Sequence, residues 1–423
     1  MLSYEDNERL VRIGAETPMG ALLRRFWIPA LLSSEVPDPD SPPARVRLLG
    51  EDLVAFRDSN GQVGLIDAYC PHRRAPMFFG RNEECGLRCV YHGWKFDVSG
   101  RCVDMPNVPK GEALKNAMRI TAYPTRERSG VVWAYMGPQE APPEPSAAEA
   151  FDVPVENRHL QKMIVRGNWV QFMEGDIDSS HVSFLHSRID KKHLGPNVIS
   201  GAVFEDSAPY WTVTSMPYGL KLAARRNAGS ESYSWRVNQW LLPFTTMVAS
   251  PAGQPFVTNM RIPIDDEHTM HLRMYVRLDG PLNEDDRALI ESGLMFPEMI
   301  PGTFTTKANI TNDYLIDRED QRTGSYTGIK SVPAQDYAVV QGQGVIAERW
   351  REKLTQSDKA IVAMRTRLLN AADSLASGKE PEEAQNADAY RVRPLDQVLP
   401  REGNIDEALE ANSRRVGEKA PAQ

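Results

Sequence analysis

"CPHRRAPMFFGRNEECGLRCVYHGW", residues 70–94, is the stretch on which the fold of this 423-residue chain turns. It holds Cys70-x-His72 and then Cys89-x-x-His92, so each of two short loops offers one thiol and one imidazole. Two thiolates and two imidazoles suit either a structural zinc or a [2Fe–2S] cluster in which the thiolates bind one iron and the imidazoles the other. Zinc fingers pair Cys with Cys and His with His, whereas the mixed cluster draws one ligand of each kind from each loop. The interleaved order, and the Gly93-Trp94 after the second histidine, favour the cluster. The chain has four cysteines, Cys70, Cys85, Cys89 and Cys102, all in this region, a grouping that in the cytosol points to metal more than to disulfides. Cys85 and Cys102 are left over and read as small buried thiols.

Outward from these loops, residues 45–136 are short β-branched runs separated by turn signals, with Ser59-Asn60-Gly61 as a hairpin turn. Upstream, Pro18 opens a short helical pattern in which Leu22, Leu23 and Phe26 share a face. Downstream, "GPQEAPPEPSAAEA", 137–150, reads as a linker or surface excursion. Long strand-like runs follow, among them "APYWTVTSMPYG", "LKLAARR", "SYSWRVNQWLLPF" and "TMHLRMYVRLDG". "SDKAIVAMRTRLLNAADSLASG" then predicts a helix capped by Ser357, striped by Ile361, Met364, Leu368 and Leu375, and stopped by Gly378. The expected class is α+β, a β-rich metal domain followed by an antiparallel sheet wrapped around helices. The expected division is a helical segment 1–44 packing on the catalytic domain, a cluster domain 45–140, a catalytic domain 141–400 and a loosely ordered polar tail 401–423.

Composition narrows the function. The chain is 41% hydrophobic and 25% charged, as in ordinary globular proteins. A net charge of −8 disfavours nucleic acid as the main partner. No run reaches the length of a membrane span, and the opening "MLSYEDNERLVRIG" lacks signal-peptide character, so a cytoplasmic protein is expected. There is no Gly-rich dinucleotide motif, so electrons from a nicotinamide would have to arrive through another protein.

A second constellation lies in "EGDIDSSHVSFLH", 174–186. Asp178 and His181 are three apart and share a helix face, while His181 and His186 are five apart, about 140° around an ideal helix. Both imidazoles can grip one ion only if the chain bends or inserts a π-bulge between them. Glu174 and Asp176 lack the offset of Asp178 from His181, and His159, His193, His268 and His271 have no metal-like spacing. Iron held by two histidines and one carboxylate keeps open positions for dioxygen, and the downstream acids available are Asp313, Asp317, Asp320 and Asp336. Asp317-Arg318 looks like a salt bridge.

The two motifs together, C-x-H with C-x-x-H and D-x-x-H-x-x-x-x-H, resemble the α-subunits of Rieske non-heme iron ring-hydroxylating oxygenases. Respiratory Rieske loops differ: they carry an extra disulfide, whereas here no cysteine closely follows His72 and Val90-Tyr91 separate Cys89 from His92. "TPMGALLRRFWIPALL", "FFGRNEECGLRCVYHGWKFDVSG", "AYPTRERSGVVWAYMGP", "NDYLIDR" and "QDYAVVQGQG" extend the likeness to the phthalate dioxygenase-like branch, over roughly residues 1–375. The resemblance implies a Rieske [2Fe–2S] cluster on Cys70, His72, Cys89 and His92, and a helix-grip catalytic domain with mononuclear Fe(II) on His181, His186 and Asp336. It gives Asp178 the role of a bridge between a Rieske histidine, by position His92, and His181, across the interface of a head-to-tail homotrimer or stacked hexamer. A carboxylate so placed orients metal-bound imidazoles. It further implies a separate NAD(P)H-dependent flavin and iron–sulfur reductase, O₂, and an aromatic substrate that is dihydroxylated or loses an O- or N-alkyl group.

Branch members act on aromatic acids, and the pocket-lining runs here carry Lys221, Arg225, Arg226 and Arg236. Arg225 and Arg226 are neighbours on a strand and point to opposite faces, so at least one is solvated. Arg236 sits between Trp235 and Val237, where a buried guanidinium needs a partner that a substrate carboxylate can supply. The expectation is an aromatic carboxylate held by Arg236 with Lys221 or Arg225. Two other readings, an electron-transfer Rieske protein without oxygenase activity and a zinc-stabilised ligand-binding protein, differ from it in iron content and colour.

Overall fold

The β-branched runs of the N-terminal half close into three small antiparallel sheets in the computed structural model, which describes residues 2–109, 112–138, 142–190 and 201–414. Two compact units emerge: Ile13–Pro145, and Met1–Arg12 with Ser146–Gln423.

In the first unit, strands Ala44–Leu48, Glu51–Arg57, Val63–Asp67 and Ala122–Tyr123 form one sheet in that order. Arg81–Glu83, Gly86–Arg88, Lys95–Phe96 and Cys102–Asp104 form another. The predicted turn at 59–61 joins Glu51–Arg57 to Val63–Asp67, with Gly61 at φ +81. Val54, Phe56, Ile66, Leu87 and Phe96 are fully buried in a core that also contains Cys70 and Cys89. The third sheet pairs Trp27–Leu32 with Val131–Tyr135, which also pairs with Thr125–Arg128. This long-range pairing divides the expected 1–44 segment: residues 13–44 belong with the β-rich unit, and only 1–12 with the other. The short helix at Pro18–Leu23 is as expected, and it buries Leu22 and Leu23.

The second unit is built on one antiparallel sheet in the order Arg158–Arg166, His268–Val276, Phe256–Pro263, Thr245–Val248, Ser232–Leu241, Gly219–Asn227 and Tyr210–Met216. Leu395–Pro400 adds to the first half of Ser232–Leu241. The helix Trp169–Ile177 packs on this sheet, and it is hydrophobic nearly all round because it is buried on nearly all sides. Its cap, Asn168, accepts from the Val170 N–H and donates to the carbonyls of Val11 and Asp266. Of its two acids, Glu174 accepts from Arg349 Nε and Nη2 (2.8 and 3.0 Å) and from Arg365 Nε (2.7 Å). Arg349 also donates to Asn7 Oδ1, which explains why residues 1–12 belong to this unit. Two expectations need correction at the C-terminal end. The helix Lys359–Ala376 begins after Asp358, whose carboxylate accepts from Thr355 N–H, and not after Ser357. Asn404-Ile405 open a further helix, Ile405–Arg414, in what composition marks as a loose tail. The 137–150 stretch contains the boundary between the two units, at Pro145 and Ser146, as a linker would, and it ends in a buried turn with Ala148 and Ala150 inaccessible. No described helix is long and apolar enough to cross a membrane.

Burial alone would raise the Glu174 carboxyl, but the two guanidiniums outweigh it and hold the group below the usual carboxylate range. Its stabilisation is therefore present above the unfolded carboxyl's pKa and is lost as pH falls through the lower folded value. Glu174→Ala leaves Arg349 buried without its charge partner, and a loss of about 3–5 kcal/mol is expected. An unchanged thermal midpoint at neutral pH would show that the cluster contributes nothing.

Candidate functional site

The two Cys–His loops hang from the small sheets. Cys70–His72 follows Val63–Asp67, and Cys89–His92 links Gly86–Arg88 to Lys95–Phe96. Each loop is closed by its own backbone: Cys70 N–H donates to Ala75 and Cys89 N–H to Trp94. Gly93 turns the second loop at φ +79, where an added Cβ would meet Pro106 at 2.7 Å, so this position requires glycine. Trp94 stacks on His72 with ring centroids 4.4 Å apart and is itself anchored by Nε1 donating to Asn107. His72 and His92 lie with centroids 4.5 Å apart. Burial pushes the Cys70 thiol up to about 11, with Cys89 close enough to contribute. His72 Nδ1 is buried and meets no hydrogen-bond partner among the described residues. Two buried thiols beside an imidazole with an unsatisfied nitrogen fit the donor set of a mixed-ligand cluster. Of the leftover cysteines, Cys102 is buried as expected, but Cys85 is only half-buried, in a left-handed turn where Asn60 donates to its sulfur.

In the second unit the helix stops at Ile177, and no π-bulge forms. Asp178 is extended (φ −82, ψ 110), its Oδ1 accepts from Ser180 N–H, and a new short helix, Val182–Leu185, begins with His181 before it and His186 after it. Buried Arg226 stabilises the break by donating to the Ser179 carbonyl (2.7 Å) and hydroxyl. The break aims both imidazoles at one space. Asp336, on the helix Val332–Gly342, places Oδ1 3.2 Å from His186 Nε2 and 3.6 Å from His181 Nε2. One donor atom from each of the three residues falls within 4.8 Å of the others. The outer nitrogens are also held. His181 Nδ1 lies 3.5 Å from Asp178 Oδ2, and His186 Nδ1 donates to Gln335 Oε1 at 2.6 Å. Gln335 Nε2 donates to the Ile329 carbonyl, which fixes its oxygen toward His186 and leaves the His186 Nε2 lone pair facing Asp336. Burial opposes charge on Asp336, but the two histidines hold its carboxyl below the ordinary value. Burial also opposes charge on His181, yet Asp178 and Asp336 raise its pKa overall.

The remaining acids have other partners. Asp313 sits in a left-handed turn, and Asp317 caps a helix by accepting from Glu319 and Asp320 N–H, so the expected Asp317-Arg318 salt bridge is a helix cap. Asp176 is gripped by Arg261 and Asn259. His268 pairs with Asp265, His159 packs on Phe296, and His193 lies outside the described residues.

A cavity opens beside His181, His186 and Asp336, walled by Val248, Val257, Leu289 and Met295. Its cations are Arg236 and Arg273. Strand alternation corrects the other two candidates. Arg236 pairs with Ala224, so residues 224 and 226 share its face while 221 and 225 face the other way. Accordingly Lys221 pairs with Asp406, and Arg225 lies over the rings of Tyr210 and Tyr233. Arg236 itself has a partner, Asp396, at 3.4 Å. Arg273, between Leu272 and Met274, has no carboxylate partner among the described residues, and burial pushes its pKa down to about 10. The signal that singled out Arg236, a cation between apolar neighbours, is equally present at Arg273 and Arg261.

A chain with a mixed-ligand cluster domain followed by a buried site of two histidines and a carboxylate is a Rieske-type oxygenase. It belongs to the Rieske non-heme iron oxygenases: the Rieske [2Fe-2S] domain model matches residues 26–124, and the model described as LigXa C-terminal domain like matches 134–415. The chain is 40% identical to the phthalate 4,5-dioxygenase oxygenase subunit of Pseudomonas putida, over 90% of its own length and 88% of the relative's. It is 37% identical to the 3-chlorobenzoate-3,4-dioxygenase oxygenase subunit of Comamonas testosteroni (92% and 93%). It is 33% identical to the 5,5'-dehydrodivanillate O-demethylase oxygenase subunit of Sphingobium sp. (90% and 83%). The fold is shared with dicamba monooxygenase bound to dicamba, at TM-score 0.58 and 18% identity over 85% of this chain and 100% of that one. It is shared also with the NdmA QL mutant of Pseudomonas putida CBB5 with theobromine, at TM-score 0.60 and 17% identity (91% and 99%). The chain is thus an oxygenase subunit whose cofactors are a [2Fe–2S] cluster and a mononuclear iron, and a separate reductase or ferredoxin feeds it electrons. The two non-oxygenase readings fall with this result.

Gln335→Leu removes the acceptor that fixes the His186 tautomer. Fe(II) affinity is expected to fall by about 10–100-fold, read as iron retained after dialysis against a graded chelator. Retention at the wild-type level would deny Gln335 this role.

Proposed function

We propose that the chain is the terminal oxygenase for an aromatic carboxylate, and the observation that carries this is buried Arg273 facing the cavity with no salt bridge among the described residues. Relatives named for phthalate and 3-chlorobenzoate support the same class. In this reading Cys70, His72, Cys89 and His92 hold the cluster, and His181, His186 and Asp336 hold the iron. When bound, the cluster supplies single electrons and the iron supplies activation of dioxygen.

The chain's own residues do the rest. Asp178 and Gln335 hold the protons on His181 and His186 Nδ1, so both Nε2 lone pairs stay directed inward. Arg273 and Arg236 bind the carboxylate, Arg273 through donors not already committed to an acid. The apolar walls, Val248, Val257, Leu289 and Met295, hold the ring and exclude water. Asp178 serves as the bridge to the partner subunit's His92 in a homotrimer, a role supported by its contact with His181 and its partial exposure. The electron donor is an NAD(P)H-dependent flavin and iron–sulfur reductase, and the protein is cytoplasmic. Relatives named as dioxygenases and as an O-demethylase leave two reactions on the same iron, which the product distinguishes: a cis-diol or formaldehyde.

Asp336→Ala is expected to abolish oxygenation and remove one iron per chain while the cluster's visible absorption stays. Loss of the cluster with full retention of the other iron would reverse the assignment. Phthalate, 3-chlorobenzoate and their methyl esters, assayed with wild type, Arg273→Met and Arg236→Met, test the substrate. Each variant is expected to lower kcat/KM for the acids by about 10–100-fold, the worth of a hydrogen bond to a charged group. If esters react as well as acids in the wild type and both variants are unimpaired, the substrate is not a carboxylate.

A further inference from the structure

That Arg273 makes no salt bridge among the described residues is the product of its surroundings. Asn259 lies directly across the strand pair from it, and Arg273 Nη1 donates to Asn259 Oδ1 at 2.8 Å. The other end of that amide, Nδ2, donates to Asp176 Oδ1 at 2.8 Å, and Asp176 is already forked by Arg261 through two contacts of 2.7 Å. The amide orientation is locked a second time. His271 is completely buried and held neutral, by burial first and by Arg261 and Arg273 second. Its Nε2 faces Asn259 Oδ1 at 3.1 Å and donates to it, so its Nδ1 is the acceptor toward the Tyr337 hydroxyl. Arg261 and Arg273 both lie near Asp176, and geometry gives that carboxylate's direct contacts to Arg261. Arg273 Nε stays buried without an acceptor.

We propose that Asn259 is a specificity-determining residue that reserves the charge of Arg273 for an anionic substrate, by satisfying the guanidinium with a neutral amide where an acid of the same shape would cancel it. This rests on the reading of the substrate as a carboxylate. With Asp at position 259, Arg273 would have a carboxylate in direct contact, and an entering carboxylate would compete with it for the guanidinium. It would then gain no more than a neutral ester does. Asn259 touches no reacting atom in this scheme; it acts through Arg273 and sets binding preference, not the chemistry at iron.

The test is equilibrium binding of phthalate and of dimethyl phthalate to the oxidised holoenzyme, by calorimetry, with iron count and cluster absorption measured on each sample. Asn259→Asp is expected to lower the preference for phthalate over the ester by about tenfold or more, the worth of an uncompensated charge–charge hydrogen bond, with ester affinity and both metals kept. Asn259→Ser, smaller but neutral, is expected to keep the preference, and it decides the matter should the Asp variant fail to hold its metals. Full preference in Asn259→Asp, or its loss in Asn259→Ser with Arg273 in place, overturns the role of Asn259. If Arg273→Met abolishes the preference in those same experiments, the carboxylate reading survives without Asn259. If Arg273→Met and Arg236→Met both retain it, the carboxylate reading itself is what has failed.

Discussion

Everything in the second unit answers to one electrostatic demand: a carboxylate, Asp336, has to sit beside two imidazole nitrogens away from bulk water. Left alone, such a carboxylate would take up a proton, and the imidazoles would turn to whatever acceptor was nearest. The fold prevents both by holding the far nitrogen of each ring, one with Asp178 and one with Gln335. That requirement explains the abrupt end of the helix at Ile177. A continuous helix would splay His181 and His186 around its axis, and only the extended step at Asp178, with Arg226 hydrogen-bonded to Ser179, brings them to the same side.

The sheet beneath has the opposite problem, an excess of cations facing inward. Arg226, Arg236, Arg261 and Arg273 are all buried on strands that read as mostly apolar. Each is handled differently. Arg226 is absorbed by backbone and hydroxyl oxygens, Arg236 by a loosely placed acid, and Arg261 by a well-formed fork on Asp176. Arg273 receives an amide oxygen and the face of the Phe296 ring, with no salt bridge among the described residues. A buried ion without a counterion is costly in folding terms, and such sites persist where binding recovers the cost.

Much of this could be read in the residues themselves. The loop ligands and Asp178, His181 and His186 announce themselves through spacing, because metal chemistry restricts which side chains can stand close together. Asp336 is singled out only by resemblance, since nothing local marks it off from Asp313 or Asp317. What escaped depends on three-dimensional pairing. Lys221 and Arg225 look as suitable as Arg236 until the register with residues 224 and 235 shows which face each occupies. Arg273 carries the same local pattern as Arg236, but its lack of an acid is visible only once Asn259 is known to lie opposite. The assignment of residues 13–44 likewise hinges on Trp27–Leu32 meeting a strand about a hundred residues away, a contact that local propensity does not encode.

The clasp on Glu174 has a consequence for how the chain comes together on the ribosome. Residues 13–145 are contiguous, so their sheets can close as soon as that stretch has emerged. The helix Tyr4–Val11, made before those sheets, cannot use Asn7 until Arg349 exists, and Arg349 is held in turn by Glu174. This helix, though made before residues 13–145, is thus among the last elements to find its place, and it waits tethered to a domain that has already folded. Trimming those first residues would spare their immediate neighbours in sequence and injure the distant half of the molecule.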